Sequence, residues 1–136
     1  MRKAFFLALF VLAVAVPAFA QDPVKVDSKH YKVESQNSRV RVLRIHYGPH
    51  EKSVWHYHPA AVATAITDAH IKFSLPGGKS EERSMKAGET MILPAGKHLP
   101  ENLSDSDFEV VLVELKTPKH KPAAKPADTA TPPSKQ

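Results

Sequence analysis

Two histidines, His56 and His58, are separated by one residue in a segment rich in β-branched and aromatic types. On an extended strand, residues i and i+2 point to the same face, about 6.6 Å apart along the backbone. Two imidazoles placed in this way can bind one metal ion at about 2.0–2.1 Å from each nitrogen. The pattern leaves two interpretations open. Either the histidine face is the domain interior and forms a metal site, or the face of Trp55 and Tyr57 is the interior and the histidines are solvated.

His98 is a third candidate ligand, because a Pro-Ala-Gly corner at residues 94–96 delivers it to the start of the following segment. The alternative is a loop histidine in contact with water, since spacing along the chain does not show whether it faces the pair. Cysteine is absent, which excludes disulfide scaffolds, thiolate zinc sites and cysteine nucleophiles. No serine lies in a recognisable nucleophile elbow, so no catalytic triad can be assembled.

The two ends of the chain differ in composition from the middle. Residues 1–20 are typical of a secretory signal peptide: Arg2 and Lys3 precede 13 consecutive apolar residues, and a small-x-small pattern ends at Ala20. An apolar run of this length is short for a membrane span, which needs about 20 residues. We therefore expect cleavage and a periplasmic or secreted protein without a membrane span; the alternative is an uncleaved anchor helix. Residues 117–136, rich in proline, lysine and alanine, are predicted to form a disordered tail.

The net charge of +5 belongs to these ends, because residues 21–116 contain 13 Lys and Arg against 13 Asp and Glu. A nucleic-acid partner would need a concentrated positive charge on the folded body. The charge distribution therefore predicts no nucleic-acid partner. A chain of 136 residues also has no room for a two-domain dehydrogenase, a kinase or a (β/α)8 barrel.

The middle of the chain, residues 21–116, is predicted to form a single all-β domain. Short segments of β-branched or alternating apolar residues recur along it, and no window shows helical periodicity, which together predict a sandwich or a closed barrel. A phase shift in the apolar alternation within residues 39–47 predicts a bulge, and a nearly continuous apolar run at residues 108–115 predicts a strand that is buried on both faces or central in its sheet. Because a domain of this size buries a modest share of its surface, a homodimer is an expected supplement. The predicted strands are residues 31–34, 39–47, 53–58, 61–67, 71–75, 80–86, 90–93 and 108–115.

The glycines, prolines and histidines of this domain resemble the motifs of small single-domain cupins (cupin 2-like). The first cupin motif is a glycine, a short gap, H-x-H, a glutamate three or four residues later and a further glycine. Here seven residues separate Gly48 from the histidine pair, and Val62 or Ala63 stands at the glutamate position. The second motif is matched with one residue deleted before its histidine. The matching residues are Gly88, Pro94, Gly96, His98 and Asn102.

This resemblance covers about residues 30–116 and implies a cupin-type antiparallel β-barrel with a jelly-roll-like topology. It also implies that His56, His58 and His98 face inward toward one divalent ion, which could be Fe, Mn, Ni, Cu or Zn because all accept imidazole. Without the motif glutamate, three neutral imidazoles leave the ion its full charge, which favours a small anionic ligand. The missing glutamate is also consistent with a decayed, metal-free site.

Three functions remain open from the sequence. The first is a metal-dependent enzyme, dioxygenase- or isomerase-like, that acts on a small anionic substrate. The second is a non-catalytic module that binds a metal or a small ligand, and the third is a structural β-domain without metal. No catalytic residue can be named for the first.

The sequence also predicts where several other polar and aromatic residues lie. Glu101 is either a hydrogen-bond acceptor or general base near His98 or, more simply, a surface carboxylate. Asn102 is predicted to be a turn residue whose side chain bonds to the backbone. Trp55 and Tyr57 are predicted to face outward, where a dimer contact could cover them. The residues predicted to be ordinary surface, rim or strand-edge groups are His30, His46, His50, Glu51 and His70.

Overall fold

The computed structural model describes residues 21–117. The predicted signal peptide and residues 118–136 of the predicted tail lie outside the described residues. Within the described range, no helix is long and apolar enough to cross a bilayer. The elements are α1 (Pro23–Val26), β1 (Tyr31–Gln36), β2 (Val40–Tyr47), β3 (His56–His58), β4 (Ala61–Ala65), β5 (Ala69–Leu75), β6 (Lys79–Met85), β7 (Thr90–Leu93), β8 (Gly96–Asn102) and β9 (Phe108–Leu115).

The strands form two antiparallel sheets. One has five strands in the order β1-β2-β9-β4-β7, and the other has four in the order β3-β8-β5-β6. After β2 the chain passes repeatedly from one sheet to the other, except that the consecutive strands β5 and β6 pair within the same sheet. This jelly-roll-like arrangement confirms the predicted all-β antiparallel fold.

The core lies between the two sheets. Strand β9 has β2 on one side and β4 on the other, which confirms the central strand predicted at residues 108–115. Every second residue of β9 is buried, beginning with Phe108 and ending with Glu114, as the period of an extended strand requires. The other face of β9 is half-buried, so the core packs against one face only.

The bulge predicted from the phase shift in β2 lies instead in its partner strand. Val33 of β1 pairs with Leu43, and Ser35 pairs with Val42, so Glu34 is the additional residue. An extra residue in either strand of an antiparallel pair shifts the phase of the pairing, and the sequence of one strand does not show which strand carries it.

Two elements differ from the sequence prediction. The short helix α1 was not predicted; it begins where the Asp22 carboxylate accepts a hydrogen bond from the backbone N–H of Val24 at 2.9 Å, with Pro23 in the first turn. Strand β8 was not predicted because it contains Pro100, which argues against a strand interior. Pro100 is nevertheless paired with Phe73 of β5.

Candidate metal centre

The structure brings together the three histidines that the sequence singled out. His56 of β3 lies directly opposite His98 of β8 in the strand pairing, and His58 lies two residues further along β3. The Nε2 atoms of His56 and His98 are 3.2 Å apart, and the potential ligand atoms of all three side chains lie within 4.8 Å of one another. His56 is 0% exposed and His58 3% exposed, so the histidine face of β3 is the interior face.

The spacing and the charge state of these imidazoles fit a divalent metal ion. Two nitrogens that each bind one ion at about 2.1 Å are about 3.0–3.4 Å apart, which includes the separation seen between His56 and His98. Burial, together with the nearby His58, lowers the pKa of His56 to about 4. Burial, together with His58 and His56, lowers the pKa of His98 to about 3. Both side chains are therefore neutral at neutral pH, the form that binds metal.

Hydrogen bonds at the far side of two rings fix which nitrogen faces the centre. The Nδ1 of His56 is 2.8 Å from the backbone oxygen of Val54. The Nδ1 of His58 is 2.6 Å from Oε1 of Glu114. Both partners are acceptors, so each Nδ1 carries the proton and donates it, which leaves the Nε2 lone pair free to bind a metal.

A buried network of polar side chains lies on the Nδ1 side of the His56 ring. The Ser53 hydroxyl is 3.3 Å from Nδ1 of His56 and donates a hydrogen bond to the carboxylate of Asp27. The same carboxylate accepts a hydrogen bond from Nδ1 of His30 at 2.8 Å, and the His30 ring stacks on Tyr47. The prediction that His30 is a surface or strand-edge residue is therefore wrong, because its ring is buried and bonded between Asp27 and a second carboxylate on the other side.

That second carboxylate belongs to Glu51. It accepts hydrogen bonds from the backbone N–H of Gly48 at 2.8 Å and from Nε2 of His30 at 3.0 Å. Lys29 also bonds to it. These donors lower the pKa of Glu51 to about 2, with Lys29 and the Gly48 backbone the largest causes. Glu51 thus holds the loop before β3 in place, which the prediction of a solvated or rim residue did not anticipate.

The segment that precedes β3 departs from the predicted strand at residues 53–58. The strand begins only at His56. Ser53 is buried, with its backbone N–H bonded to the carbonyl of Pro100 at 2.9 Å, and Val54 is exposed rather than on the histidine face. Trp55 and Tyr57 are outward and partly exposed, as predicted.

Two tyrosines border the centre and were not identified from the sequence. The Tyr31 hydroxyl is 3.1 Å from Nε2 of His56 and 2.9 Å from the hydroxyl of Tyr47. Burial raises the pKa of both phenols, so both are neutral proton donors at neutral pH. Tyrosine is common in strands for packing reasons alone, so the sequence offered no signal for this role.

The most informative residue that the sequence analysis missed is Glu114. Its side chain is 2% exposed. Burial raises the pKa of this carboxyl, but hydrogen bonds from His58 and Arg41 outweigh that effect and leave the pKa lowered, so Glu114 is an anion. A signal was available, because Glu114 continues the inward-facing series of apolar residues formed by Phe108, Val110 and Leu112 of β9.

A small cavity adjoins the histidines between the sheets. Its volume is about 50 Å³, and aliphatic and aromatic side chains form most of its lining. A space of this size can hold a few water-sized groups. Arg83 of β6, 52% exposed, lies at the cavity and is the one cation among its described lining residues. The polar lining residues are Tyr31, Tyr47, His58, His98 and Arg83.

The remaining candidates lie away from the centre. Glu101 is 3.6 Å from Lys52 and is partly exposed; because residues alternate along β8, it points away from the face that carries His98. Asn102 is the structural residue predicted, since its Nδ2 donates to the backbone oxygens of Gly48 at 2.9 Å and Ser106 at 2.8 Å. The exposed histidines, as predicted, are His46, His50 and His70.

The fold that carries these residues is similar to that of solved structures. A cupin domain from Bordetella pertussis Tohama I is similar, with 28% sequence identity over 64% of this chain and 92% of that domain and a TM-score of 0.59. The chain has the cupin fold. An RmlC-like cupin family protein with a double-stranded β-helix fold, from Methanocaldococcus jannaschii, is also similar, with 20% identity, coverage of 68% of this chain and 86% of that one, and a TM-score of 0.51. No protein-family model and no curated protein matches this chain.

Proposed function

We propose that this cupin binds one divalent metal ion through His56, His58 and His98. The observation that carries the proposal is the meeting of three imidazoles, two buried and one partly buried, with the Nε2 atoms of His56 and His98 3.2 Å apart. A bound ion would supply a Lewis-acid centre next to the cavity. Imidazole suits Fe, Mn, Ni, Cu and Zn, and this set of donors does not select among them.

We further propose that the ligand of this centre is a small anion with an apolar body. Three imidazole ligands bring no negative charge, so they leave the charge of an ion uncompensated at the centre itself. The side chain of Arg83 also lines this cavity, with its guanidinium beside Glu81 at the exposed end, while the other walls are mostly apolar. An anionic group could bind at the centre or at Arg83, and a short hydrocarbon portion would fill the space between the sheets.

Binding without turnover is the form of this function that the cavity supports best. Among the described residues that line the cavity there is no carboxylate to serve as a general base. Tyr31, a neutral phenol 3.1 Å from Nε2 of His56, is placed to donate a hydrogen bond to a ligand. A dioxygenase- or isomerase-like activity remains the second candidate, favoured by the same phenol as a proton donor. Oxygen uptake and substrate turnover with a panel of small carboxylates and thiols separate the two.

The metal proposal is tested on mature protein recovered from the periplasm or the medium. We expect about one ion per chain by elemental analysis and loss of that ion in His56→Ala and His98→Ala. The matched control is His46→Ala, which changes an exposed histidine on β2 and should leave the metal content unchanged. Wild-type protein without metal after incubation with each candidate ion would contradict the proposal and favour the structural β-domain.

We also propose that the protein is exported and that it forms a homodimer. The support for export is the pattern of residues 1–20. N-terminal sequencing of periplasmic or secreted protein should give Gln21 as the first residue.

The support for a dimer is the exposure of Trp55 and Tyr57 on β3, an edge strand. Sedimentation analysis of wild type and Trp55→Ser tests it, with a shift toward monomer expected in the variant.

A further inference from the structure

A continuous chain of hydrogen bonds leads from the centre to the start of the described domain. Nδ1 of His58 is 2.6 Å from Oε1 of Glu114. Oε2 of the same carboxylate is 2.5 Å from Nε of Arg41, and Nη1 of Arg41 is 2.6 Å from Oδ2 of Asp22. Both oxygens of Glu114 therefore accept a hydrogen bond, one from the histidine and one from the guanidinium.

Each group in this series of hydrogen bonds has a fixed role as donor or acceptor, because the series is largely buried. Glu114 is almost fully buried and Arg41 is largely buried. A guanidinium has donors only, so the oxygen of Glu114 that faces Arg41 must be an acceptor. A carboxylate also has acceptors only, so the atom of His58 that faces it must carry a proton.

We infer that Glu114 and Arg41 are positioning residues that set the tautomer of His58. The inference rests on the proposed function, since it concerns which nitrogen of His58 is offered to a metal. Glu114 accepts the Nδ1 proton and thereby keeps Nε2 deprotonated on the side of the other two histidines. Arg41 holds the carboxylate in that orientation. A buried carboxylate from β9 thus acts on the centre through His58, although the motif position for a glutamate is occupied by Val62 or Ala63.

Replacing Glu114 by glutamine tests this arrangement more sharply than its removal. The glutamine oxygen will face Arg41, because the guanidinium requires an acceptor there. The glutamine amide nitrogen, which is a donor, then faces Nδ1 of His58. His58 must respond by moving its proton to Nε2, which removes the lone pair from the metal side. The side chain keeps its size, so the substitution changes polarity without creating a cavity.

Adding Arg41→Met to Glu114→Gln should reverse the effect. Without the guanidinium, the amide of the glutamine is free to turn its oxygen toward His58. The Nδ1 proton is then accepted as in the wild type. Asp22, which loses a partner in the double variant, is 23% exposed and can be hydrated. Rescue by a second substitution that removes a further hydrogen bond is not expected of a merely structural role.

The experiment combines nitrogen NMR of His58 with zinc binding to full-length protein. In metal-free wild type, the ¹⁵N shifts should show His58 protonated at Nδ1. In Glu114→Gln the proton should be on Nε2 and zinc affinity should fall about 10- to 100-fold, the usual effect of losing such a partner. In the double variant both should return toward wild type. The matched control is Glu109→Gln, which alters the partly exposed pair of Glu109 with Arg44 on the same two strands and should change neither the shifts nor the zinc affinity.

The outcomes separate this inference from the metal proposal. If metal-free wild type carries the His58 proton on Nε2, the inference is overturned, and this measurement needs no variant to fold. Unchanged His58 shifts in folded Glu114→Gln would overturn it as well. If wild type binds no metal but the tautomers follow the expected pattern, the role of Glu114 and Arg41 in positioning His58 stands and the metal proposal fails.

Discussion

Two neutral histidines of the centre, the buried His56 and the partly buried His98, should make the metal-free protein sensitive to mild acid. Burial lowers the pKa of His56 to about 4 and that of His98 to about 3, whereas each titrates near 6.5 in an unfolded chain. Between these values the unfolded chain binds a proton at each position and the folded protein does not. The free energy of unfolding therefore rises with pH in this window. The contribution of the two histidines is fully present above about pH 6.5 and is lost as the pH falls.

The size of the effect follows from the two shifts. Each histidine should contribute a loss of about 1.5 kcal/mol in the free energy of unfolding between pH 6.5 and pH 5. The two together should contribute about 3 kcal/mol over that interval. Acidic groups with lowered pKa values, such as Glu51 and Glu114, contribute only below about pH 4.5, since their unfolded values lie there.

Urea denaturation at several pH values, with a chelator present, measures this slope. The informative variant is His98→Leu, which removes one partly buried titrating group and should reduce the loss between pH 6.5 and pH 5 by about 1.5 kcal/mol. His46→Leu changes an exposed histidine and serves as the control, with the wild-type slope expected. A wild-type slope retained in His98→Leu would refute the reasoning, because His98 would then not be buried in its neutral form.

Further predictions concern the cavity and the core. Arg83→Gln should weaken the binding of butanoate to zinc-loaded protein about tenfold by calorimetry, equivalent to about 1.4 kcal/mol, whereas Arg39→Gln at an exposed position should not. Equal affinity in the two variants would remove Arg83 from the proposed ligand site. Tyr31→Phe should lower the free energy of unfolding by about 1 kcal/mol through loss of its buried hydrogen bonds, without loss of metal. Leu112→Ala should cost about 2–5 kcal/mol in urea denaturation because Leu112 is fully buried in the core; a cost below about 1 kcal/mol would contradict its place there.

The sequence predicted those parts of the fold that depend on local alternation. The strands at residues 90–93 and 108–115 match the structure at both ends, since apolar periodicity marks them clearly. Strand β8 was not predicted, because Pro100 is unfavourable in a strand interior. Its pairing with β5 depends on residues distant in the sequence. The inward orientation of His56 and His58 could not be decided from periodicity, since Trp55 and Tyr57 made the opposite face equally apolar.

The surroundings of the centre were harder to predict because they join distant parts of the chain. Glu114 and His58 are 56 residues apart, and Ser53 and Asp27 are 26 residues apart. No local pattern shows such a pairing. Only the inward position of Glu114 in an apolar strand carried a signal, since an acidic residue there needs a buried partner. The role of the three histidines as metal ligands stays a prediction.

The position of Asp22 has a practical consequence for producing the protein. Its carboxylate caps the first turn of α1 through one oxygen and receives the guanidinium of Arg41 through the other. A recombinant version trimmed to begin at Pro23 would lose both of these bonds at once and would leave Arg41 without its outer acceptor. Expression boundaries should therefore keep residue 22, and an affinity tag removed to leave Gln21 first is safer than one cut closer to the helix.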